Sequence, residues 1–271
     1  AVSPGDRANS PKFSCEEFIR KGTAIPSSDA PFLFASGGDT NFFNGKIDRP
    51  RLAKRALSSV EMDQLCAYDI PQSLADDVLG AWDFGSDISS DLISDRSNND
   101  LRGALFNLPT RGVTGHNWDG GEHNWQHAAE QYGAVHFHQD DLYDVGWETD
   151  FSFTIPDDLP SGIYAARLHH GEDWDRIPFF VVPPKGRAAS KLAFLVPTAS
   201  YMAYANTRQR LQPNLIFGEG QPETVNDAFL ASHPEVGGSL YDLHEDRSGI
   251  HYSSRLRPVM NMKPGDNRPW G

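Results

Sequence analysis

Short segments of β type, separated by turn-forming residues, dominate the chain between residues 79 and 182. The 271 residues include 24 Gly and 19 Pro, a content that favours turns and short strands over long helices. Strands at this spacing, with turn signals between them, are typical of a β-sandwich. The predicted strands are Gly80–Phe84, Arg102–Asn107, Gly133–His138, Phe151–Ile155, Gly162–His169 and Ile177–Val182.

The sequence predicts three regions along the chain. Residues 1–183 form the sandwich region, in which two sets of strands meet near residue 79. Before that point we expect strands at Pro31–Ala35 and Phe42–Leu52 and a short helix, Val60–Tyr68, that Ser58 and Glu61 cap. Residues 184–190, which contain Pro184 and Gly186, are a predicted linker. Residues 191–271 are expected to be the incomplete start of an α/β domain.

The beginning of the predicted α/β domain contains a buried strand and a helix. The apolar run at Lys191–Val196 is the strand, and Pro197 ends it. The helix is expected around Tyr201–Arg210. One strand and a long polar stretch do not complete an α/β sheet, so we expect the domain to continue beyond Gly271.

Composition excludes several classes of function. The net charge of −13 argues against nucleic acid and anionic membranes as partners. No segment approaches the roughly 18 apolar residues that cross a membrane, and the N-terminal residues have no signal-peptide core. The two cysteines, Cys15 and Cys66, are too few for a disulfide framework. These features predict a cytoplasmic protein.

Two stretches contain the candidate site residues. Tyr201 and Tyr204 follow the predicted strand, and Tyr241, His244 and Asp246 stand in a polar segment further along the chain. Open α/β sheets usually bind ligands just beyond the carboxyl ends of their strands. We therefore expect any chemistry to occur at these residues, although tyrosines that pack in a core with hydrogen-bonded hydroxyls would show the same pattern.

A second candidate metal site lies in the sandwich region. His136 and His138 are two residues apart on a predicted strand, so both imidazoles point to the same side, and Asp140 and Asp141 follow them. Such a site would bind zinc or ferrous iron. The alternative is that the two histidines make only structural hydrogen bonds.

Several motifs resemble known families. FNGKIDRPRL at Phe43–Leu52, followed by Arg55, Ser58 and Glu61, resembles the closing strands of laminin-G or concanavalin-like jelly rolls, and Trp82–Phe84 resembles an opening strand. A longer ordered series resembles the large (β) subunit of N,N-dimethylformamidase. Its segments are Asn107–Arg111, Gly115–Trp118, Tyr132–Asp144, Ser161–Ala165, Ile177–Val181 and the two tyrosine-containing stretches.

This resemblance implies an iron-dependent amide hydrolase that cleaves N,N-dimethylformamide to dimethylamine and formate. It implies a mononuclear ferric ion, held by two tyrosinates and one glutamate in an amidotransferase-like α/β domain. It also implies a hetero-oligomer with a small helical partner subunit. By order and spacing, Tyr201 and Tyr241 best match the two tyrosines, and Tyr204 is the alternative for the first.

The third ligand has no match in these 271 residues. In the family the glutamate lies in a His-Pro-Glu-Tyr motif downstream of the second tyrosine. Here His233-Pro234-Glu235 is followed by Val236 and precedes Tyr241, so the role is not assigned to Glu235. We expect the ligand beyond Gly271, and we expect the 271 residues alone to lack a complete site.

The implied mechanism is Lewis-acid hydrolysis, in which ferric iron polarises the amide carbonyl and activates water. Hard phenolate and carboxylate oxygens suit this ion. His244 and Asp246 are the candidate catalytic groups that orient the iron ligands, or else polar residues of a solvated loop. The alternative function is a non-catalytic, carbohydrate- or protein-binding β-sandwich module.

Overall fold

A computed structural model describes residues 29–38, 40–187, 190–208 and 224–262. The chain divides into two compact units, Ala1–Phe34 and Ala35–Gly271. In the described part of the first unit, the rings of Phe32 and Phe34 meet edge to face with centroids 5.1 Å apart. All the elements below belong to the second unit.

The second unit is mainly β, as the sequence predicts, and its described strands form three antiparallel sheets. The strand orders are β1-β7-β6, β2-β3-β4-β5 and β8-β9. The strands are β1 Gly45–Asp48, β2 Arg51–Ala53, β3 Val78–Asp83, β4 Leu92–Asp95, β5 Gly103–Ala104, β6 Thr110–Val113, β7 Ala134–Phe137, β8 Gly162–His170 and β9 Asp173–Val181. The helices are α1 Ser59–Leu65, α2 Thr198–Tyr204 and α3 Val225–Ser232, and 3₁₀ turns lie at Gln72–Leu74, Ala129–Gln131 and Pro234–Val236.

The apolar core lies along β3 and β7. Val78 and Val135 are buried almost completely, and Trp82 is 8% exposed. The Trp82 indole Nε1–H donates to the Leu101 carbonyl at 2.7 Å, so burial leaves its one polar group satisfied. Each such apolar side chain contributes about 1.5–3 kcal/mol through burial, and this core fixes strand β7, which contains His136 and ends one residue before His138.

Strand β7 positions the histidines that the sequence singled out. It pairs with β1 on one side, where His136 lies opposite Lys46, and with β6 on the other, where His136 lies opposite Thr110. The strand ends at Phe137, and a turn follows in which the Asp141 N–H donates to the His138 carbonyl. His136, His138 and the aspartates after them therefore stand at one end of a three-stranded sheet.

Local sequence signals predicted several elements correctly. Phe42–Leu52 contains β1 and most of β2, which lie in different sheets. Helix α1 begins at the predicted Ser58 cap, where the Ser58 hydroxyl and the Glu61 carboxylate each accept the other's backbone N–H. The helix ends at Leu65 rather than Tyr68, because the Arg51 guanidinium binds the carbonyls of Leu65, Ala67 and Tyr68.

Three predicted strands are wrong. Pro31–Ala35, Phe151–Ile155 and Lys191–Val196 have no strand structure. Leu192 and Leu195 are 89% and 92% exposed, so the supposed buried strand after residue 190 is neither buried nor paired in the described chain. An apolar run becomes a strand only when its backbone groups find a partner strand.

Other elements differ in extent or were not predicted. Arg102–Asn107 contains only the two-residue strand β5, and β9 begins at Asp173, before the predicted Ile177. Strands β4 and β6 and helix α3 were missed. Helix α2 ends at Tyr204, and the last residues of the predicted helix, Gln209 and Arg210, lie outside the described residues. The predicted linker at 184–190 and the division into regions stay predictions.

In the part of the chain that the structure describes, every helix is too short or too polar to cross a lipid bilayer.

Candidate functional site

Two of the three candidate iron-binding tyrosines lie against each other. The rings of Tyr204 and Tyr241 stack with centroids 4.4 Å apart and planes 8° from parallel. A hydrogen bond between the two phenol groups raises the pKa of Tyr204 above its usual value. Tyr201 lies one turn earlier in α2 and is 49% exposed. We call Tyr204 and Tyr241 the tyrosine pair.

Asn206 fixes the chain just after Tyr204. It is fully buried and has a left-handed backbone with φ of 60°, a conformation that Asn tolerates better than most residues. Its side-chain amide donates to the Pro258 carbonyl at 2.8 Å and accepts from the Met260 N–H at 2.9 Å. The end of α2 is thereby tied to the segment around residues 258–260.

Arg257 joins the backbone on both sides of the tyrosine pair. Its guanidinium is buried and donates to the carbonyls of Ala205 at 3.2 Å and Gly238 at 2.7 Å. It also donates to the Ser254 carbonyl at 2.9 Å and the Ser253 hydroxyl at 2.8 Å. Burial lowers its pKa to about 10, so it is charged at neutral pH.

A tight turn presents Tyr241. The buried Asp242 carboxylate accepts from the Ser239 N–H at 2.7 Å, the Ser239 hydroxyl at 2.9 Å and the Arg208 N–H at 2.9 Å. The Leu240 N–H donates to the Ala203 carbonyl in α2 at 2.9 Å. The turn is thus attached to the helix that ends in Tyr204, which brings the two phenol rings together.

A second group of polar side chains joins strand β7 to the segment after the tyrosine turn. The ring of His138 stacks on His244 with centroids 3.6 Å apart and planes 2° from parallel, and His136 lies 4.1 Å from His138 between centroids. Three carboxylates surround these rings. We call the group the His/Asp cluster: His136, His138, Asp140, Asp141, His244 and Asp246.

Hydrogen bonds connect the members of the His/Asp cluster in pairs. His136 Nε2 lies 2.8 Å from Asp246 Oδ2, and His244 Nδ1 lies 2.7 Å from Asp140 Oδ1. His138 Nδ1 lies 3.1 Å from Asp141 Oδ1, and the His138 backbone N–H donates to the other oxygen of Asp141 at 2.7 Å. Every imidazole therefore has a carboxylate partner.

Burial changes the charge states in the His/Asp cluster. Loss of hydration, together with the neighbouring His244 and His136, lowers the pKa of His138 to about 4, so this imidazole is neutral at pH 7. Burial raises the pKa of Asp141 to about 7. At Asp246 burial acts in the same direction, but hydrogen bonds from Ser248 and His136 outweigh it and lower the pKa to about 2.

Asp83 in β3 shows what a well-satisfied buried carboxylate looks like. It accepts from the Ser86 hydroxyl at 2.7 Å, the Gly85 N–H at 3.0 Å and the Tyr68 hydroxyl at 3.1 Å, and Arg96 lies 3.4 Å away. Burial raises its pKa, but these donors outweigh burial and lower the pKa below its usual value. Asp141 has fewer donors, and its pKa moves in the opposite direction.

Two groups of donor atoms in the His/Asp cluster are spaced for a metal ion. One contains His136, His138 and Asp246, and the other contains His138, Asp141 and His244; within each group the ligand atoms lie within 4.8 Å of one another. A small pocket lies beside the second group and is lined by Asp140, Asp141, His244, Thr110, His251 and Arg257, among others. The tyrosine pair does not line this pocket.

The structure joins two motifs that the sequence treated separately. His136 and His138 were read as one metal site, and His244 and Asp246 as groups that orient tyrosine ligands. The four side chains meet in one cluster, and both roles stay predictions. Sequence reasoning missed Asn206 and Arg257; only the tolerance of Asn for left-handed backbone after a helix could have drawn attention to Asn206.

Comparison with known proteins identifies relatives of this chain. Residues 110–270 match a family model described as "N,N-dimethylformamidase beta subunit-like, C-terminal". The N,N-dimethylformamidase beta subunit of Paracoccus aminophilus is 40% identical over 240 residues, which cover 84% of this chain and 31% of that relative. The subunit of the same name from Alcaligenes sp is 37% identical over the same shares. The chain thus spans less than a third of these curated relatives.

Proposed function

Because the chain belongs to the N,N-dimethylformamidase beta subunit-like family, we propose that it forms part of an amide hydrolase. The proposed reaction is the hydrolysis of a small N-alkylated amide, N,N-dimethylformamide, to dimethylamine and formate. Two relatives named as subunits of such an enzyme support this function over a non-catalytic sandwich module. The observation that carries the proposal within this chain is the tyrosine pair.

The donor chemistry of the tyrosine pair fits a ferric ion. Two phenol oxygens within hydrogen-bonding reach of each other offer hard, anionic ligands after loss of their protons. We propose that Tyr204 and Tyr241 hold the iron. Their stacking supports Tyr204 rather than Tyr201, the first ligand that spacing predicts. The third ligand, a glutamate, is proposed to come from outside these 271 residues.

Bound iron would supply Lewis-acid activation of the amide carbonyl and of the attacking water. The part of this chain is to hold the two phenol oxygens in fixed positions and to give up their protons when the ion is loaded. Asn206, Arg257 and Asp242 hold the backbone on which both rings stand, so the ligand positions are formed in advance. That His244 and Asp246 orient the iron ligands stays a prediction. In the structure these two side chains contact other members of the His/Asp cluster.

The proposal extends to the fold of the two regions, the partner subunit and the cellular compartment. We propose that the strand-rich part adopts a laminin-G or concanavalin-like sandwich and that the later part begins an α/β amidotransferase-like domain. Both relatives are named as beta subunits, which supports a hetero-oligomer, and we propose that the partner is a small helical subunit. The exposed free thiol of Cys66 supports a reducing compartment such as the cytoplasm.

The test is iron content together with turnover in the full-length protein with its partner subunit. Tyr204→Phe and Tyr241→Phe remove one phenol oxygen each and are expected to abolish stoichiometric iron and hydrolysis of N,N-dimethylformamide. Tyr201→Phe is the matched control in the same helix and is expected to keep both. Stoichiometric iron and full turnover in Tyr241→Phe would refute the proposal.

A further inference from the structure

Three donor atoms of the His/Asp cluster already have the arrangement of a metal site. His136 Nε2 and His138 Nε2 lie 2.8 Å and 3.6 Å from Asp246 Oδ2. Ligand atoms at a tetrahedral zinc ion, with bonds of about 2.0–2.1 Å, are about 3.3 Å apart. These two spacings differ from that value by about 0.5 Å and 0.3 Å, and all ligand atoms of the group lie within 4.8 Å of one another.

The surroundings of His138 orient its Nε2 atom for a metal. His138 Nδ1 lies 3.1 Å from Asp141 Oδ1, and in the tautomer whose Nδ1–H donates to this carboxylate Nε2 carries the lone pair. A histidine that donates one nitrogen to a carboxylate and offers the other to an ion is the usual arrangement in metalloproteins. The histidine side chain is 1% exposed.

Without an ion, the Ser248 hydroxyl bridges two of these donors. It lies 2.9 Å from His138 Nε2 and 2.6 Å from Asp246 Oδ1, and the Ser248 N–H also donates to Asp246 Oδ1 at 2.9 Å. A cation bound by the three donors would replace this hydroxyl as the partner of His138 Nε2.

Three carboxylates, Asp140, Asp141 and Asp246, lie beside the three imidazoles. A cluster of this composition offers the nitrogen and oxygen donors that a divalent transition-metal ion binds.

We propose that His136 Nε2, His138 Nε2 and Asp246 Oδ2 form a cation site, made of different residues from the tyrosine pair, that binds a divalent transition-metal ion such as Zn²⁺. Two imidazoles and one carboxylate suit zinc better than magnesium or calcium. The ion connects β7 to a turn that follows it by more than a hundred residues, so it acts as a clamp that closes a long loop. Asp246 is partly exposed and provides the path of entry.

The second group of donors, His138, Asp141 and His244, is the competing assignment. It would use Asp141 as a ligand, which removes the carboxylate that orients His138. It would also leave His136 and Asp246 as a separate ion pair. The geometry therefore favours the first group, and variants can distinguish the two.

The test uses the full-length protein with its partner subunit after treatment with a chelator. Zn²⁺ alone is titrated by calorimetry, and Co²⁺ is added separately to record its visible spectrum. One equivalent is expected to bind with release of protons, since the ligands must be deprotonated. Asp246→Asn and His136→Gln are each expected to raise the Kd for Zn²⁺ by more than ~100-fold. Asp141→Asn removes only a group that orients His138 and is expected to raise it by ~10–100-fold.

Matched controls separate the site from the rest of the molecule. Asp140→Asn removes a carboxylate of the same cluster that is not a proposed ligand, and Tyr241→Phe alters the tyrosine pair; both are expected to keep the Kd within ~3-fold. His244→Gln is expected to bind zinc as well. Circular dichroism and the thermal unfolding midpoint without metal confirm that each variant folds.

Three outcomes would overturn the assignment. The first is the lack of saturable zinc binding by the unaltered protein. The second is an unchanged Kd in both Asp246→Asn and His136→Gln. The third is loss of binding in His244→Gln with retention in Asp246→Asn, which would assign the ion to the competing group. None of these outcomes bears on the tyrosine pair, so the proposed function is judged independently.

Discussion

The tyrosine pair and the His/Asp cluster use neighbouring residues of the chain for different kinds of chemistry. Tyr241 presents a phenol oxygen at the surface, whereas His244, three residues later, is buried against His138. One group offers hard oxygen donors and the other mainly imidazole nitrogens. Ions of different hardness are therefore expected at the two places, although the sequence presents them as one crowd of polar residues.

The two groups also differ in what holds them. The tyrosine pair rests on buried polar residues beneath it, Asn206, Arg257 and Asp242, whose partners are mostly backbone groups. The His/Asp cluster is held by its own side chains, which bond to each other across the sheet and the later segment. A change beneath the tyrosines should therefore affect iron and stability, and a change in the cluster should affect zinc.

The largest effect is expected from Arg257→Met. This substitution leaves the carbonyls of Ala205, Gly238 and Ser254 buried without their donor, and we expect the free energy of unfolding to fall by about 3–5 kcal/mol. Urea denaturation measures the change. Arg255→Met, at an exposed neighbouring residue, is the control and should cost less than about 0.5 kcal/mol. Equal, small losses in both variants would contradict the proposed support beneath the tyrosines.

A smaller effect is expected from Asn206→Ala. The side chain bonds to Pro258 and Met260 are lost, and Ala is strained at a positive φ, so we expect a loss of about 2–4 kcal/mol. Asn206→Gly removes the same bonds but tolerates the backbone and should be about 1 kcal/mol more stable than the Ala variant. If the Gly variant is no better in urea denaturation, backbone conformation is not what Asn206 provides.

The smallest effect on stability is expected from Glu61→Gln. Glu61 lies in α1 and belongs to neither group, so its response to acid gives a reference for the rest of the fold. Hydrogen bonds from Arg55 and Ser58 lower its pKa from 4.5 to about 2. A depressed folded pKa gives stability that is present above pH 4.5 and is lost as the pH falls towards 2. The unfolding midpoint of the unaltered protein should thus exceed that of Glu61→Gln near neutral pH and converge with it near pH 2. A difference in midpoint that stays constant across this range would show that the hydrogen bonds from Arg55 and Ser58 do not lower the pKa of Glu61.

Short-range signals explain most of what the sequence predicted correctly. The Ser58 cap of α1 and the β8–β9 hairpin depend on residues close together in the chain, and both formed. Phe151–Ile155 and Lys191–Val196 have the composition of strands, but strand formation depends on a partner that composition does not reveal. The same limit explains why β4 and β6 were missed.

The candidate site was predictable in its residue types but not in its grouping. Spacing favoured Tyr201, whereas the end of α2 at Tyr204 and its contact with a turn thirty-odd residues later determine which ring meets Tyr241. The contact between His136 and Asp246 spans 110 residues. Pairings of this kind depend on the packing of the whole unit, and no local pattern encodes them.

The visible absorption of the iron-loaded, full-length protein tests the central claim most directly, namely that the two groups bind different ions. Phenolate ligands give ferric iron a charge-transfer band, so Tyr241→Phe should weaken or abolish it. His136→Gln, which alters the His/Asp cluster and has no proposed role at the iron, should keep the band at full intensity. A band that survives in Tyr241→Phe, or one that disappears in His136→Gln, would contradict the account.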